Sequence, residues 1–204
     1  FSALIASFRE QGRAVLLVDH NVKGVAAVVD RVFAMYLGEP IAEGSASEVM
    51  ANETVRRVYL GGTIETHARP ELDKRGGPPL LDVRDVSVLY GKAQALQGVS
   101  LHVREQEFVS VVGLNGVGKT TLFNAISGLV PYTGTIAWGG EPLRSRGPGA
   151  IARAGIVQCP ENRELFGSMS VQENLELGGQ HLSPAERQGQ LDWLLNLFPI
   201  LRER

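Results

Sequence analysis

The sequence lacks several features that would place it in a specialised class of protein. It contains a single cysteine, Cys159, so a disulfide within the chain is excluded and the composition suits a reducing compartment. No apolar run approaches the roughly 18 residues that a transmembrane helix needs. Its 20 lysines and arginines are balanced by 22 acidic residues. It therefore lacks the basic excess that is typical of proteins that bind nucleic acid.

What remains is the composition of an ordinary globular protein. The 204 residues are 44% hydrophobic and 21% charged, which is enough apolar material for one well-buried domain or for parts of two. The chain begins at Phe1 rather than Met, and it stops at residues 201–204, LRER, without the residues that usually end a helix. We therefore expect a piece of a longer protein.

Three regions differ in their hydrophobic pattern. AVLLVD (14–19) and RVFAMY (31–36) are short continuous apolar runs, which favour buried parallel strands. Residues 63–79 lose this periodicity and contain a glycine pair and a proline pair, as linkers do. From residue 80, apolar and polar residues alternate, which predicts antiparallel strands. The predicted fold class is α/β, with a parallel sheet and an antiparallel β subdomain.

The sequence also predicts individual helices and turns. Helical spacing of apolar residues predicts helices in residues 1–12 and 22–30, and LGEP (37–40) predicts a turn. Ser45 and Glu48 have the spacing of a capping box, so a helix is expected to start there.

Two further elements are predicted near the end of the sequence. Gly139-Gly140, between two short strand patterns, predicts a tight hairpin turn. Residues 183–204 are predicted to form an amphipathic helix with Ser183 as N-cap and Pro184 at the first helical position.

The motif GLNGVGKT follows the apolar run FVSVV, precedes a helical pattern and has the spacing of a nucleotide-binding P-loop. Gly113, Gly116 and Gly118 allow the backbone conformations in which successive N–H groups converge on a phosphate. Lys119 supplies a positive charge for the outer phosphates, and Thr120 supplies a hydroxyl ligand for Mg²⁺. The flanking strand and helix disfavour the alternative, a glycine-rich turn that matches by chance. The motif therefore predicts ATP and Mg²⁺ as ligands.

Residues 80–129 resemble the opening of an ATP-binding-cassette (ABC) ATPase domain. In that family an aromatic residue ahead of the P-loop stacks on adenine, and Tyr90 falls on this position. The alternative is that this tyrosine only packs in its sheet. The set of ATP-binding residues that the resemblance implies is Tyr90, Gly113, Asn115, Gly116, Gly118, Lys119, Thr120 and Thr121.

Residues 152–178 resemble the family's segment that leads into a helical subdomain. A glutamine there usually reaches the Mg²⁺, but counting back from SVQENL gives Glu161 rather than Gln158. In this departure the chain resembles the ATPases of branched-chain amino acid importers, in which a Pro-Glu pair recurs. A carboxylate can ligate Mg²⁺ directly or through water. The resemblance therefore implies that Glu161 is a catalytic residue and that Glu161 and Thr120 are both ligands of the metal. The alternative is a solvated loop acid.

Residues 1–62 resemble the other end of the same kind of domain, which in the family follows the P-loop. His20 falls on the switch histidine that contacts the γ-phosphate as donor or proton shuttle. Without the resemblance, a core histidine at a strand end is the simpler interpretation. We predict that residues 1–62 end a first ABC ATPase domain, that 63–79 are a linker, and that 80–204 begin a second, incomplete domain with the start of its helical subdomain.

Two catalytic elements of the family do not occur in the sequence: the L-S-G-G-Q signature loop and a strand ending in Asp-Glu. The resemblance therefore implies ATP binding without hydrolysis by this chain alone. In the family the P-loop strand lies between the switch-histidine strand and the strand after it. We predict that residues 108–112 lie between 14–18 and 32–36, so that the first part of the chain docks on the second in permuted order.

The resemblance implies that the parent protein binds and hydrolyses ATP to energise import of branched-chain amino acids, or related amides. Its expected place is the cytoplasmic face of the bacterial inner membrane, where it is peripheral. The implied partners are transmembrane permease subunits, a second ATPase domain and, indirectly, a periplasmic substrate-binding protein, with no nucleic acid. Two alternatives stay open: a soluble ABC ATPase outside transport, and a hydrolysis-dead nucleotide-binding fragment.

Overall fold

A computed structural model of the chain describes residues 8, 11–19, 28–59, 77–160 and 164–202. The chain divides into two compact units, Phe1–Ala152 and Arg153–Arg204. The strands of the described part are β1 (Val15–Asp19), β2 (Arg31–Tyr36), β3 (Glu39–Gly44), β4 (Leu81–Tyr90), β5 (Ala93–Val103), β6 (Phe108–Gly113), β7 (Thr133–Trp138) and β8 (Glu141–Pro142). Its helices are α1 (Ala46–Ala51), α2 (Glu53–Tyr59), α3 (Lys119–Ile126), α4 (Pro148–Arg153), α5 (Val171–Gly178) and α6 (Pro184–Leu197), followed by a 3-10 helix (Pro199–Arg202).

The first sheet of the described part has the strand order β1-β6-β2-β3. Its central strand, β6, pairs in parallel with β1 on one side, where Val15 lies opposite Phe108, and with β2 on the other. All of β6 is buried, which explains why FVSVV is apolar apart from Ser110. The predicted position of residues 108–112 between 14–18 and 32–36 is confirmed. β1 and β2, which lie early in the sequence, therefore share one sheet with β6, which begins at Phe108.

The second sheet of the described part has the order β5-β4-β7-β8, and each of its neighbouring pairs is antiparallel. This confirms the antiparallel strands predicted from residue 80 onward. β4 and β5 form a hairpin whose tight turn is Gly91-Lys92, because Tyr90 lies opposite Ala93. The predicted turn at Gly139-Gly140 is also present, with φ of +57° and +83°, conformations that favour glycine.

An ionic cluster ties the start of β2 to the connection between β5 and β6. The Arg31 guanidinium donates to the Glu107 carboxylate, at 2.8 Å from Nε to Oε1, and also to the Glu43 carboxylate and the His102 carbonyl. Glu107 also accepts from the Arg104 N–H, at 2.7 Å. The side chains of Arg31 and Glu107 are only 13% and 12% exposed. This cluster therefore links the two sequence segments through a partly desolvated ion pair.

Glu107 and His102 make the stability of this junction depend on pH. Burial raises the pKa of Glu107, but its hydrogen bonds from Arg31 and the Arg104 backbone outweigh burial and lower that pKa overall. Burial, with the nearby Arg31 and Arg104 charges, lowers the pKa of His102. In both cases the unfolded chain binds protons more readily, so stability decreases as pH falls. The decrease begins below about pH 6.5 for His102 and about pH 4.3 for Glu107, their unfolded values.

We expect the free energy of unfolding, from urea titrations, to fall as pH is lowered from about 6.5, where His102 begins to respond, and further below about 4.3, where Glu107 responds. In Glu107→Gln the fall below about pH 4.3 is expected to be shallower, because the carboxylate responsible is gone. Glu105→Gln is the matched control, since it removes an exposed carboxylate two residues away. A Glu107→Gln profile that parallels the Glu105→Gln profile through the acid range would contradict this role for the ion pair.

The second unit contains two capped helices, of which α6 begins as its sequence predicts. Ser170 caps α5 and Ser183 caps α6, each in a reciprocal capping box, and Pro184 takes the first turn of α6. The prediction that α6 is an amphipathic helix continuing to residue 204 is wrong. It ends at Leu197 without a buried residue. Pro199 has no N–H and restricts the residue before it, so the chain continues as a 3-10 helix.

Two predicted helices, in residues 1–12 and 22–30, lie largely outside the described residues, as does most of the linker 63–79. The capping box predicted at Ser45 and Glu48 is confirmed at the start of α1. None of the helices in the described ranges combines the length and apolarity that crossing a bilayer requires.

Candidate nucleotide-binding site

The loop between β6 and α3 has the backbone geometry that its glycines predict. Gly116 and Gly118 have φ of +84° and +97°, where side chains other than glycine are strained. A Cβ at Gly118 would lie 2.6 Å from the Ala95 carbonyl oxygen and 2.8 Å from Leu96 Cδ2. A Cβ at Gly116 would meet nothing within 4 Å. Gly116 is therefore required for its φ alone, whereas Gly118 is also required for the close approach of β5.

Lys119 begins α3 and lies across the loop. The residue is 9% exposed, and its Nζ donates to the carbonyl oxygens of Gly113, at 2.7 Å, and Leu114, at 2.8 Å. Gly118 is the N-cap of α3, and no side chain of the described residues caps this end. The N–H groups of the first turn, with the positive end of the helix dipole, are thus directed at the loop. This combination suits a phosphate group.

The remaining residues of the motif lie in the loop and in the first turn of α3. Asn115 and Thr120 are exposed, and Thr121 is half-buried. Over the residues that the structure covers, no cluster of three or more His, Cys, Asp or Glu side chains forms a metal site. The exposed Thr120 hydroxyl nevertheless fits Mg²⁺, which takes few protein ligands and completes its shell with water and phosphate oxygens.

Tyr90 lies at the end of β4 and is 50% exposed. It is paired with Ala93 at the start of β5, and two residues further along β5 is Ala95, which touches Gly118. Two residues of a strand span about 7 Å. The backbone of Tyr90 is therefore paired with the part of β5 that leads to the phosphate loop, and its stacking on adenine stays a prediction.

His20 and Glu161 lie outside the described residues, so their catalytic and metal roles stay predictions. The strand before His20 is described as far as Asp19, which is paired with Val112. β1 and β6 thus end at the same edge of their parallel sheet, and β6 continues there into the loop. Ligands of α/β proteins bind at this edge.

Sequence reasoning missed one group of residues that contacts the loop. In the β2–β3 turn (Tyr36–Glu39), the Gly38 N–H donates to the Val117 carbonyl at 3.0 Å, and the Gly38 carbonyl accepts from the Gln97 N–H at 3.1 Å. A Cβ at Gly38 would lie 2.7 Å from the Ala95 carbonyl oxygen. The sequence LGEP indicated a turn, but nothing local showed what the turn would contact.

Residues 96–203, which are more than half of the chain, match the family described as "ABC transporter". The chain belongs to the ABC transporter family. A second match, to the family described as "Branched-chain amino acid ATP-binding cassette transporter", covers residues 39–64. The resemblance of the P-loop region to an ABC ATP-binding domain is thereby confirmed, and the loop described above is the P-loop of that domain.

Curated relatives of this ABC domain include ATP-binding proteins named for branched-chain amino acid transport and for ribose import. The high-affinity branched-chain amino acid transport ATP-binding protein BraG of Pseudomonas aeruginosa is 40% identical over 61% of this chain and 54% of its own length. The ribose import ATP-binding protein RbsA of Pseudomonas putida is 32% identical over 85% of this chain and 34% of its own length. The ribose import ATP-binding protein RbsA 1 of Agrobacterium fabrum is 29% identical over 98% of this chain and 38% of its own length. The chain thus spans about half or less of these relatives.

A solved structure described as "Structure of ATP binding subunit of ABC transporter" is 34% identical, with a TM-score of 0.55. The match covers 61% of this chain and 52% of that one. Together with the parallel and antiparallel sheets of the first unit, it confirms the predicted fold class, a partial P-loop ATPase domain of the ABC type.

Proposed function

We propose that this chain is part of the ATP-binding subunit of an ABC importer and that it binds Mg·ATP at the P-loop. The observation that carries this proposal is the position of Lys119. Its ammonium bridges two carbonyls of the loop, beside the N terminus of α3, at the carboxyl edge of the parallel sheet. A triphosphate placed there meets a positive charge, a helix dipole and backbone N–H groups together.

The other proposed contacts follow from the same placement. Tyr90 stacks on adenine, Asn115 and Thr121 contact the phosphates, and the Thr120 hydroxyl holds Mg²⁺. The ion, when bound, neutralises charge on the outer phosphates. We assign Glu161 to the metal and His20 to the γ-phosphate. The signature loop and an Asp-Glu strand are missing from these 204 residues. We therefore propose that the parent protein hydrolyses ATP, whereas this chain by itself binds ATP without hydrolysing it.

Replacing Tyr90 with alanine is expected to weaken ATP binding about tenfold, because base–aromatic stacking contributes about 1–3 kcal/mol. Tyr90→Phe keeps the ring and should bind within about twofold of the wild type. Titration with ATP and with ADP should show the same loss for both nucleotides, since the ring contacts the base. If Tyr90→Ala weakens ATP binding but leaves ADP binding unchanged, or changes neither, the stacking assignment is wrong.

Branched-chain amino acids are the transported substrate that we propose for the parent protein. The support is the match of residues 39–64 to a family of that description and the identity with BraG. Sugar import is the second candidate, because the RbsA relatives align with more of this chain. Deletion of the encoding gene should abolish uptake of labelled leucine and leave ribose uptake intact. The reverse result would favour the sugar, and no change in either would favour an ATPase outside transport.

We also propose that the chain spans the junction of two consecutive ABC domains, with residues 1–62 ending the first, 63–79 linking them and 80–204 beginning the second. The RbsA 1 alignment supports this, because it runs through 98% of this chain, linker included, within 38% of the relative. An alignment keeps sequence order. RbsA 1 therefore carries both segments in the order found here.

The parent protein would then bring two ATPase domains to its permease subunits at the cytoplasmic membrane face, with a periplasmic binding protein acting indirectly.

A further inference from the structure

The β2–β3 turn approaches the P-loop from a distant part of the sequence. Leu37 and Gly38 have φ of +48° and +83°, the positive values that both central residues of a type I′ hairpin turn require. Its glycine donates to the Val117 carbonyl and accepts from the Gln97 N–H. Val117 is itself buried, and it directly precedes Gly118. The turn thus contacts the P-loop one residue before the N-cap of α3.

We propose that Gly38 is a positioning residue for nucleotide binding, acting through the peptide group between Val117 and Gly118. This inference rests on the proposed function of the loop as an ATP site. The Val117 carbonyl and the Gly118 N–H belong to one planar trans peptide, so they point in opposite directions. A hydrogen bond that holds the carbonyl toward Gly38 therefore directs the Gly118 N–H away from the turn. That N–H belongs to the end of α3 at which the phosphates are proposed to bind.

Close packing fixes the same arrangement. The Ala95 carbonyl oxygen would lie 2.7 Å from a Cβ on Gly38 and 2.6 Å from a Cβ on Gly118. Neither position tolerates a side chain, because the obstacle is backbone of β5 rather than a flexible side chain. The turn, β5 and the loop are therefore mutually fixed by backbone contacts. A displacement of Gly38 would be transmitted directly to the Gly118 peptide.

The chain offers a matched control for a substitution at Gly38. Gly140 has the same φ of +83°, and it also follows a residue of positive φ in a tight turn between antiparallel strands. A Cβ there would meet nothing within 4 Å. Gly38→Ala and Gly140→Ala thus share the cost of placing alanine at positive φ. Only Gly38→Ala adds a clash next to the P-loop.

The test compares both variants with the wild-type 204-residue chain by calorimetric titration with Mg·ATP and by the ³¹P chemical shifts of the bound nucleotide. We expect Gly140→Ala to bind as the wild type does. We expect Gly38→Ala to bind about tenfold more weakly and to shift the β-phosphate resonance, which a loss of stability alone would not do. Equal affinity and equal shifts in the two variants would overturn the proposal.

A second measurement uses the wild type alone, in case Gly38→Ala does not fold. If the bond from the Gly38 N–H to Val117 supports the binding conformation, bound ATP must reciprocally strengthen it. Hydrogen exchange of the Gly38 amide should then slow on addition of Mg·ATP, while that of the Gly140 amide should not. Unchanged exchange at Gly38 with ATP bound would overturn the proposal. If the wild type shows no ATP binding, it is the proposed function that fails.

Discussion

Replacing Lys119 with alanine is expected to weaken Mg·ATP binding about 100-fold. The ammonium is buried over the loop and would form charge-assisted hydrogen bonds with the outer phosphates, each contributing about 1.5–3 kcal/mol. Every 1.4 kcal/mol corresponds to a tenfold change in affinity, at about 25 °C. Calorimetric titration of the purified chain measures this change directly. The loss should be larger for ATP than for AMP, because the charge is directed at the outer phosphates.

Arg84→Ala is the control for the loss of one positive charge. Arg84 lies on β4, where its exposed guanidinium pairs with Asp82, and its removal should leave ATP affinity within about twofold, since exposed ion pairs contribute little. Equal ATP affinities of Lys119→Ala and the wild type would contradict the assignment of the loop as a nucleotide site.

Gly118→Ala and Gly116→Ala should differ in their effect on stability, because both glycines have positive φ but only Gly118 also lies against β5. At Gly116 the substitution is expected to lower the free energy of unfolding by about 1 kcal/mol, the cost of positive φ in open space. At Gly118 the methyl group also meets the Ala95 carbonyl and Leu96, so we expect a loss of about 2–4 kcal/mol. Urea denaturation without nucleotide measures both losses. Equal losses would show that the contact with β5 is not a constraint.

The local features of this fold could be predicted from the sequence because each depends on a few neighbouring residues. Ser45 with Glu48 specifies a helix start through a capping box, and the glycines of the P-loop specify its backbone conformations. The burial of β6 could be predicted because FVSVV is apolar apart from Ser110. Its position between β1 and β2, however, was predicted only because the chain resembles a family with that strand order.

The contacts that hold the site in place could not be predicted, because they join residues far apart in sequence. Nothing near Arg31 shows that Glu107 will be its partner, since that pairing exists only once β2 lies beside β6. The same holds for Gly38, whose partners Val117 and Gln97 belong to a different sequence segment. The end of α6, by contrast, depends on a local signal. Pro199 disfavours helical backbone at Phe198, the residue before it, so the sequence itself indicates a helix that ends there rather than at residue 204.

The central position of β6 also sets the order in which the chain can fold during synthesis. β1 and β2 leave the ribosome first, yet the strand that separates them begins only at Phe108. At about 5–20 residues per second, this delay lasts roughly 4 to 15 seconds. When these 204 residues are synthesised on their own, β1 has no described strand to pair with during that time and β2 has only β3, and unpaired strand edges promote aggregation. The yield of folded protein therefore depends on translation speed and chaperones, as well as on the stability of the finished sheet.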